Sequence, residues 1–272
     1  MKIPPPVKVS QDKVVFAVDE IEPILQAPPL DVEPFAPRSV VLTNRAGETK
    51  TMLIRPARRE EARPLLRYVS DRFLGAENLD EVPDFYDIVG ARVYAEILGW
   101  YRQRLKDPYT LLGLCGGELT GFANGRLMNE QINISLHTLA FDRGFRAGAA
   151  MYYAKCQYCF EDLGQDEFWS TFESYNGWKR WGVGMAQPSY PWPDLQHELG
   201  GGRVYYLTRK YWESTAREYL AENYGIRVER EVPRQLLEEN ETLRFPPLPE
   251  PETASSPKLL LPPEDQSRSG GR

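Results

Sequence analysis

An α/β fold, in which helices flank a central mixed sheet, is predicted by three observations. Apolar residues recur at helical spacing in three long segments, and strand-like patterns separate these segments. The third helical segment follows a strand directly. Strands that alternate with helices favour a sheet with antiparallel and parallel pairs. In chain order, we predict helix 58–73, helix 85–105, strand 109–115, strand 119–128, strand 132–141 and helix 147–163.

The composition predicts a cytoplasmic protein that binds neither nucleic acid nor membrane. The chain has 272 residues, a formal net charge of −6 and a pI near 5.3. A nucleic-acid surface would be basic, and no apolar run is long enough to span a bilayer. The first residues contain no apolar signal segment. The three cysteines fit a reducing compartment better than a disulfide framework.

The N-terminal region is predicted to be an extended arm followed by a hairpin. Residues 1–38 are rich in proline, which removes backbone donors and disfavours helix. The segment 39–43 is apolar and β-branched, Asn44 to Gly47 has turn chemistry, and 51–55 resumes an extended pattern.

The C-terminal third is predicted to add shorter elements and a disordered tail. Gly164 and Gly225 follow helical patterns and are expected to end them. From Phe245 onward the chain is rich in Pro, Ser and Glu, which is typical of disorder. The predicted elements are strand 167–173, a short helix 178–181, strand 203–208, helix 212–224, strand 226–232 and helix 233–240.

The junction between strand 132–141 and helix 147–163 is the first candidate site. Arg146 and four small residues, Ala147 to Ala150, open the helix. A helix N-terminus presents free N–H groups and a positive dipole end, which suit a phosphate. Small side chains would allow the ligand to approach the backbone closely. The alternative is an ordinary strand–loop–helix connection with an alanine-rich start.

With this order of elements, the chain resembles the GNAT superfamily of N-acetyltransferases over residues 51–212. The segment 52–62 resembles the first strand and helix start of the family, and 116–123 its next hairpin. Residues 141–150 resemble the pyrophosphate loop, with Arg146 as its first position and Met151 in its last small position. Glu173 to Asn176 resemble the end of the fifth family strand, where an Asn is common.

The resemblance implies a domain organisation and a cofactor site. It divides the chain into a proline-rich arm with a strand (1–50), a GNAT-like acyltransferase domain (51–212), a helical and strand extension (213–245) and a disordered tail (246–272). In the family, acetyl-CoA lies in a V-shaped opening between two strands. The residues that would bind it here are Leu139, Ala140, Phe141, Arg146, Ala147, Gly148, Ala149, Ala150 and Asn176.

Acetyl transfer to an amine requires a base, and the resemblance directs attention to His137 and Glu173. His137 lies on the strand pattern on the same face as Ser135, and the alternative is a hydrogen-bonded structural histidine. Glu173 could equally cap a turn. The family often has a Tyr as acid after the Asn; Tyr175 or Tyr190 could replace it, but neither matches the motif.

The pair Cys156 and Cys159 has metal or redox spacing, but both lie on the apolar stripe of the helix, which favours packing. We therefore predict no metal site. The predicted function is an N-acyltransferase that moves an acetyl group from acetyl-CoA to a small-molecule or protein amine. The alternative is a catalytically inactive GNAT-like binding module. A homodimer is possible in either case.

Overall fold

The predicted fold class is confirmed by a computed structural model, which describes residues 31–73, 93–94, 96–102, 108–142, 144–170, 172, 178–185 and 205–248. These residues form an eight-stranded mixed sheet in the order β7-β6-β5-β4-β3-β2-β1-β8. The strands are β1 Arg38–Thr43, β2 Thr49–Pro56, β3 Pro108–Cys115, β4 Glu118–Leu127, β5 Ile132–Ala140, β6 Glu167–Ser170, β7 Tyr205–Thr208 and β8 Val228–Glu229.

Helices connect the strands and cover both faces of the sheet. A short 3-10 turn, Arg59–Glu61, leads into α1, Ala62–Phe73. Helix α2 comprises residues 93–94 and 96–101. Helix α3, Ala147–Gln157, continues as a wider helical turn, Tyr158–Asp162. A separate wide turn spans Trp178–Val183. Helix α4 is built from Arg209–Tyr211, Trp212–Ala216 and Arg217–Tyr224, and α5 is Arg234–Glu239.

The core has two apolar layers, one on each face of the sheet. Successive residues of a strand point to opposite faces, and Leu111 and Leu112 of β3 accordingly lie in different layers. Leu111 packs in the layer that holds α3 and α4, whereas Leu112 packs in the layer that holds α1 and α2. The sheet therefore separates an α3 side from an α1–α2 side.

Helix α3 packs closely on the sheet because two glycines leave room for Met151. Gly113 and Gly121 are partners across β3 and β4. A Cβ atom on Gly121 would lie 2.8 Å from Met151 Cγ, and one on Gly113 would lie 2.9 Å from Met151 Sδ. Met151 itself is fully buried in the core on the α3 side. Its side chain thus points into the core and not toward the start of the helix.

The segment after β7 joins the sheet of its own chain. Strand β8 pairs with β1 antiparallel, with Val40 opposite Val228. Further on, the Asn240 amide oxygen accepts a hydrogen bond from Gly117 N, and the Arg244 carbonyl accepts one from Leu119 N. Gly117 has a φ of 82°, which a turn between β3 and β4 requires. The C-terminal segment therefore crosses the hairpin of β3 and β4.

Some predicted elements differ from the structure in their bounds. Helix α4 begins at Arg209, before the predicted start at residue 212, because the Thr208 hydroxyl caps it by accepting from Tyr211 N. Only Val228–Glu229 of the predicted strand 226–232 pairs with the sheet. Gly164 and Gly225 do end their helices in the left-handed conformation. Most of the predicted helix 85–105, residues 171 and 173 of the predicted strand 167–173, and the tail beyond residue 248 lie outside the described residues.

Within the part of the chain that the structure describes, no helix combines the length and the apolar character needed to cross a membrane.

Because α3 packs closely on the sheet, we expect that adding one methyl group between them lowers the free energy of unfolding. Gly121→Ala places a methyl group against Met151 Cγ, which is near the backbone and cannot move aside freely. We expect a loss of about 1–3 kcal/mol in the free energy of unfolding. The matched control is Gly148→Ala, whose Cβ would meet only Ala140 Cβ at 3.7 Å. Urea denaturation of both variants checks this, and equal stability would contradict it.

Candidate functional site

Strand β5 runs beyond its pairing with β6. The parallel pairing begins at Ile132 and Glu167 and ends at Ser135 and Ser170, while β5 continues to Ala140. On its other side, β5 stays paired with β4 as far as Ala140 and Gly121. Within the described residues, the last five residues of β5 therefore have a strand neighbour only on the β4 side. A strand edge of this kind offers N–H and C=O groups to an extended ligand.

Six residues, 141–146, lie between the end of β5 at Ala140 and the first residue of α3 at Ala147. Arg146 adopts the left-handed conformation, with φ 63°, and precedes the helix. Its carbonyl accepts hydrogen bonds from Ala149 N and Ala150 N. Ala147, Ala149 and Ala150 are buried, whereas Gly148 is half-buried. The helix thus presents Gly148 as the accessible residue of its first turn.

The Arg146 side chain is engaged with a different helix. Its guanidinium donates a hydrogen bond of 2.7 Å to the carbonyl of Tyr224, at the C-terminal end of α4. A cation at this position interacts favourably with the negative end of a helix dipole. Arg146 therefore links the start of α3 to the end of α4.

The other predicted cofactor residues lie at the end of β5. Leu139 and Phe141 pack against the layer of α1 and α2, and Ala140 is exposed. The Phe141 ring makes an edge contact with Tyr68 at 5.6 Å. The following loop is held by Lys50, whose ammonium lies 2.6 Å from the Asp142 carboxylate. These contacts fix the loop that joins β5 to α3.

A bulge interrupts β5 directly after Ser135, the last residue that pairs with β6 within the described part of the chain. Ala123 pairs with Thr138 and Gly125 pairs with Ser135, so that the single residue Asn124 faces two residues of β5. A bulge leaves backbone groups without ladder partners and reorients the side chains that follow. In this bulge those side chains are Leu136 and His137.

The ammonium of Lys155 from α3 fills the bulge. Its Nζ donates to the Asn124 carbonyl at 3.0 Å, the His137 carbonyl at 3.0 Å and the Ser135 hydroxyl at 2.6 Å. Lys155 is fully buried, and three acceptors match the three N–H donors of an ammonium group. The lysine thus satisfies the carbonyls of Asn124 and His137 from the α3 side.

On the opposite face of the sheet, His137 pairs with Glu96 of α2. The distance between His137 Nδ1 and Glu96 Oε2 is 2.9 Å. The same carboxylate oxygen accepts a bond of 2.5 Å from Asn124 Nδ2, and Asn124 Oδ1 accepts from His137 N. Because a carboxylate only accepts, the neutral imidazole carries its proton on Nδ1, and Nε2 is the atom that takes up a further proton.

The predicted placement of Ser135 and His137 on one face is wrong. Ser135 contacts Lys155 on the α3 side, and His137 contacts Glu96 on the α1–α2 side. The bulge adds one residue to β5 between them and so shifts the alternation. The polar groups of this site therefore lie on both sides of the sheet.

Burial and neighbouring charges act in opposite directions on the pKa values of Lys155 and Glu96. Burial lowers the pKa of Lys155 to about 7, and the nearby Cys156 and Glu96 act to raise it. Burial acts to raise the pKa of Glu96, but the charges of His137 and Arg126 and the Asn124 hydrogen bond together hold it below its ordinary value. Glu96 is therefore ionised at neutral pH.

Three predicted site residues, Glu173, Tyr175 and Asn176, lie outside the described residues, so their roles stay predictions. Ser170 is the last described residue of β6 and is buried, and its hydroxyl has no hydrogen-bond partner within the described part of the chain.

Cys156 and Cys159 are buried in the core on the α3 side, and burial raises the pKa of both thiols. No group of three potential metal-ligating side chains occurs among the described residues.

Sequence reasoning missed Glu96, Asn124 and Lys155. A signal was present for two of them, because Glu96 lies beside Val93 and Ile97 on an apolar helix stripe, and Lys155 lies beside Cys156 on another. A charged residue on such a stripe is buried only with a partner. The sequence does not reveal that partner, because Glu96 and His137 are 41 residues apart.

Comparison with known proteins identifies similar solved structures, while no protein-family model and no curated protein matches the sequence. RimJ from Mycobacterium smegmatis, in complex with CoA-disulfide, has 11% identity and a TM-score of 0.46, covering 71% of this chain and 99% of that one. The PaiA N-acetyltransferase from Thermoplasma acidophilum, in complex with coenzyme A, has 10% identity and a TM-score of 0.40, covering 58% and 98%. A GNAT-family acetyltransferase from Bacillus anthracis has 12% identity and a TM-score of 0.37, covering 62% and 99%.

The buried lysine predicts a pH dependence of stability. Because the folded-state pKa of Lys155 is about 7, below its ordinary value of 10.5, the unfolded chain binds more protons between these two values. The free energy of unfolding of the wild type should therefore rise relative to Lys155→Met as the pH increases from 7 to 10.5, by on the order of 4 kcal/mol.

Urea denaturation at a series of pH values measures this difference. Lys210→Met, which removes an exposed lysine, is the matched control and should follow the wild type at every pH. A Lys155→Met difference that stays constant across the window would contradict the prediction.

Proposed function

We propose that this chain is an N-acyltransferase of the GNAT type that transfers an acetyl group from acetyl-CoA to an amine. The observation that carries the proposal is the course of β5, whose last five residues have a strand neighbour only on the β4 side within the described residues, and which is followed six residues later by the first turn of α3. A strand edge that leads to a helix N-terminus suits a ligand with amide groups at one end and a pyrophosphate at the other.

The residues present fit such a ligand in two respects. Gly148 is half-buried in the first turn of α3. Among the described residues, a Cβ atom built on it would meet Ala140 Cβ at 3.7 Å and, apart from its neighbours in the chain and the helix, no other atom within 4 Å, so the space beside it is open. Met151, in the last position of the loop motif, is buried against Gly113 and Gly121 and so does not narrow the space at the helix start. The N–H groups of Ala147 and Gly148 would hold the pyrophosphate, since those of Ala149 and Ala150 donate to the Arg146 carbonyl, and the bound thioester would supply an activated acetyl group.

His137 is the proposed base of the reaction. With Nδ1–H donated to Glu96, the ring accepts the amine proton on Nε2 as the nitrogen attacks the acetyl carbonyl. The N–C bond forms, the C–S bond breaks, and the thiolate leaves and takes a proton from water. Glu96 orients the imidazole and stabilises the imidazolium that forms. His137 exposes 7% of its surface, and its Nε2 atom is itself buried.

The second candidate function is a catalytically inactive binding module, and one observation favours it. Arg146, the first residue of the loop motif, is bonded to the Tyr224 carbonyl at the end of α4. In that position it stabilises the fold without any ligand. Binding of acetyl-CoA distinguishes the two functions.

Gly148 offers a test of binding that leaves the fold intact. Gly148→Glu adds a carboxylate to the first turn of α3, where it stabilises the helix dipole but repels a phosphate. Gly148→Gln has nearly the same shape without the charge. We expect acetyl-CoA to bind the wild type and the Gln variant at micromolar concentration, and the Glu variant at least tenfold more weakly, by isothermal titration calorimetry.

Equal affinity of the Glu and Gln variants would show that the phosphates bind elsewhere. Absence of binding to the folded wild type would overturn the enzyme proposal and favour the binding module. Arg146 is less suitable for this test, since its substitution also removes the cap of α4.

The role of His137 predicts a kinetic effect. His137→Gln should reduce kcat about 10²- to 10⁴-fold, the usual contribution of a general base, with little change in acetyl-CoA affinity. The measurement is release of free coenzyme A, followed chromatographically, with a panel of primary amines as acceptors. His197→Gln is the matched control, because His197 is the only other histidine in the chain. An unchanged kcat in His137→Gln would exclude His137 as the base.

A further inference from the structure

Ser170 carries a hydroxyl group that the described fold does not use. The residue is the last of β6 and is 2% exposed, and its Oγ atom has no hydrogen-bond partner within the described part of the chain. A buried polar group without a partner destabilises a protein, so that its presence in a folded chain calls for an explanation. We infer that the Ser170 hydroxyl donates a hydrogen bond to the thioester carbonyl oxygen of the bound acyl donor and stabilises the oxyanion that forms there. This inference rests on the proposed function.

The side chain of Ser170 lies on the α3 side of the sheet. Phe168, two residues earlier on β6, belongs to the core layer on that side, and side chains two positions apart on a strand share a face. Ser170 is aligned with Ser135 across the parallel pair of β5 and β6. The Ser135 hydroxyl is already engaged on this side, since Lys155 Nζ lies 2.6 Å from it. The aligned hydroxyl is thus held by the lysine, and that of Ser170 remains available to a ligand.

The distance from the start of α3 to Ser135 matches the length of the acyl donor's arm. A Cβ atom on Gly148 would lie 3.7 Å from Ala140 Cβ, so the first turn of α3 lies beside the last residue of β5. From Ala140 back to Ser135, the strand covers about 17 Å, at roughly 3.4 Å per residue. The arm of coenzyme A from phosphate to sulfur has about thirteen bonds, which span roughly 15 Å when extended, since three backbone bonds cover about 3.5 Å. A pyrophosphate at Gly148 therefore brings the thioester close to Ser135.

The end of β6 lies where the thioester would arrive. Beyond Ser135, β5 has a strand neighbour only on the β4 side among the described residues, so an extended arm can pair with the other edge of β5. The last described pair of β5 and β6 joins Ser135 to Ser170. An arm that follows the edge of β5 from Gly148 therefore ends against Ser170.

The two faces of the sheet then hold different parts of the chemistry. His137 contacts Glu96 on the α1–α2 side, which leaves that side to the amine and its base, whereas Ser170 lies on the α3 side. As the amine nitrogen bonds to the carbonyl carbon, the π electron pair moves to the oxygen, which accepts the hydrogen bond from Ser170. The pair returns when the C–S bond breaks. A donor aimed at charge that develops during the reaction lowers the barrier more than it strengthens binding.

The carbonyl stretching frequency of bound acetyl-CoA tests the contact without turnover. Infrared difference spectra of acetyl-CoA with and without a ¹³C-labelled carbonyl, recorded without an amine, isolate the band of the bound thioester. A hydrogen bond polarises the C=O bond and lowers this frequency. We therefore expect the band to lie at higher wavenumber in Ser170→Ala than in the wild type. Ser214→Ala, which removes an exposed hydroxyl of α4, is the matched control and should leave the band unchanged.

Kinetics and stability separate a functional hydroxyl from a structural one. Ser170→Ala should lower kcat about 10²- to 10³-fold, the usual effect of losing one oxyanion donor, with little change in acetyl-CoA affinity. Its free energy of unfolding should be equal to that of the wild type or higher, because the hydroxyl loses no partner among the described residues. Ser170→Cys keeps nearly the same volume but is a weak donor, and its kcat should fall as well. Full activity of the Cys variant beside an inactive Ala variant would assign the effect to packing and overturn the inference.

These readouts distinguish failure of the inference from failure of the proposed function. If Ser170→Ala binds acetyl-CoA normally and its carbonyl band or its kcat equals that of the wild type, the inference alone is overturned. A shifted band without turnover of any amine supports the contact and contradicts the transfer function. Absence of acetyl-CoA binding by the folded wild type overturns both.

Discussion

The hydrogen bonds of one buried ammonium group hold the candidate site together. Lys155 reaches from α3 into the bulge of β5 and satisfies the carbonyls of Asn124 and His137. Each buried acceptor without a partner would cost about 1–3 kcal/mol, and burying an ammonium group costs several kcal/mol. These costs are similar in size, so that the lysine and the bulge are stable together and neither would be stable alone.

The bulge determines how the rest of the site is arranged. It separates Ser135 from His137, directs the His137 ring toward Glu96, and follows the last pair of β5 and β6 that the structure describes. Beyond it, β5 has a strand neighbour only on the β4 side among the described residues, and α3 begins six residues after β5 ends. The orientation of the His137 imidazole thus depends on a single irregularity in the sheet.

Helix α3 can pack this close to the sheet only because two residues beneath it have no side chain. Gly113 and Gly121 lie opposite each other on β3 and β4, and Met151 fills the space above them. The same packing brings Lys155, one turn further along the helix, over the bulge. Arg146 then connects the start of α3 to the end of α4, so that the C-terminal part of the chain stabilises the loop at the candidate site.

The sequence alone determined the type and order of most of the described elements. The strand pattern of β5, the small residues that begin α3 and the glycines that end α3 and α4 are local features, and local geometry requires little else to form them. The resemblance to the GNAT superfamily likewise rests on the order of these elements and on short motifs, both of which are properties of the linear chain.

Only the tertiary structure decided which side chains meet. The alternation predicted Ser135 and His137 on one face, but a bulge inserts a residue between them, and the carbonyls of Asn124 and His137 bond to Lys155, which lies 31 and 18 residues away in the sequence. The pairing of Glu96 with Asn124 and His137 joins residues 28 and 41 positions apart. The partner of a buried charge is set by how the helices pack on the sheet. Such a long-range contact produces no periodic pattern in the sequence, so the sequence alone does not reveal it.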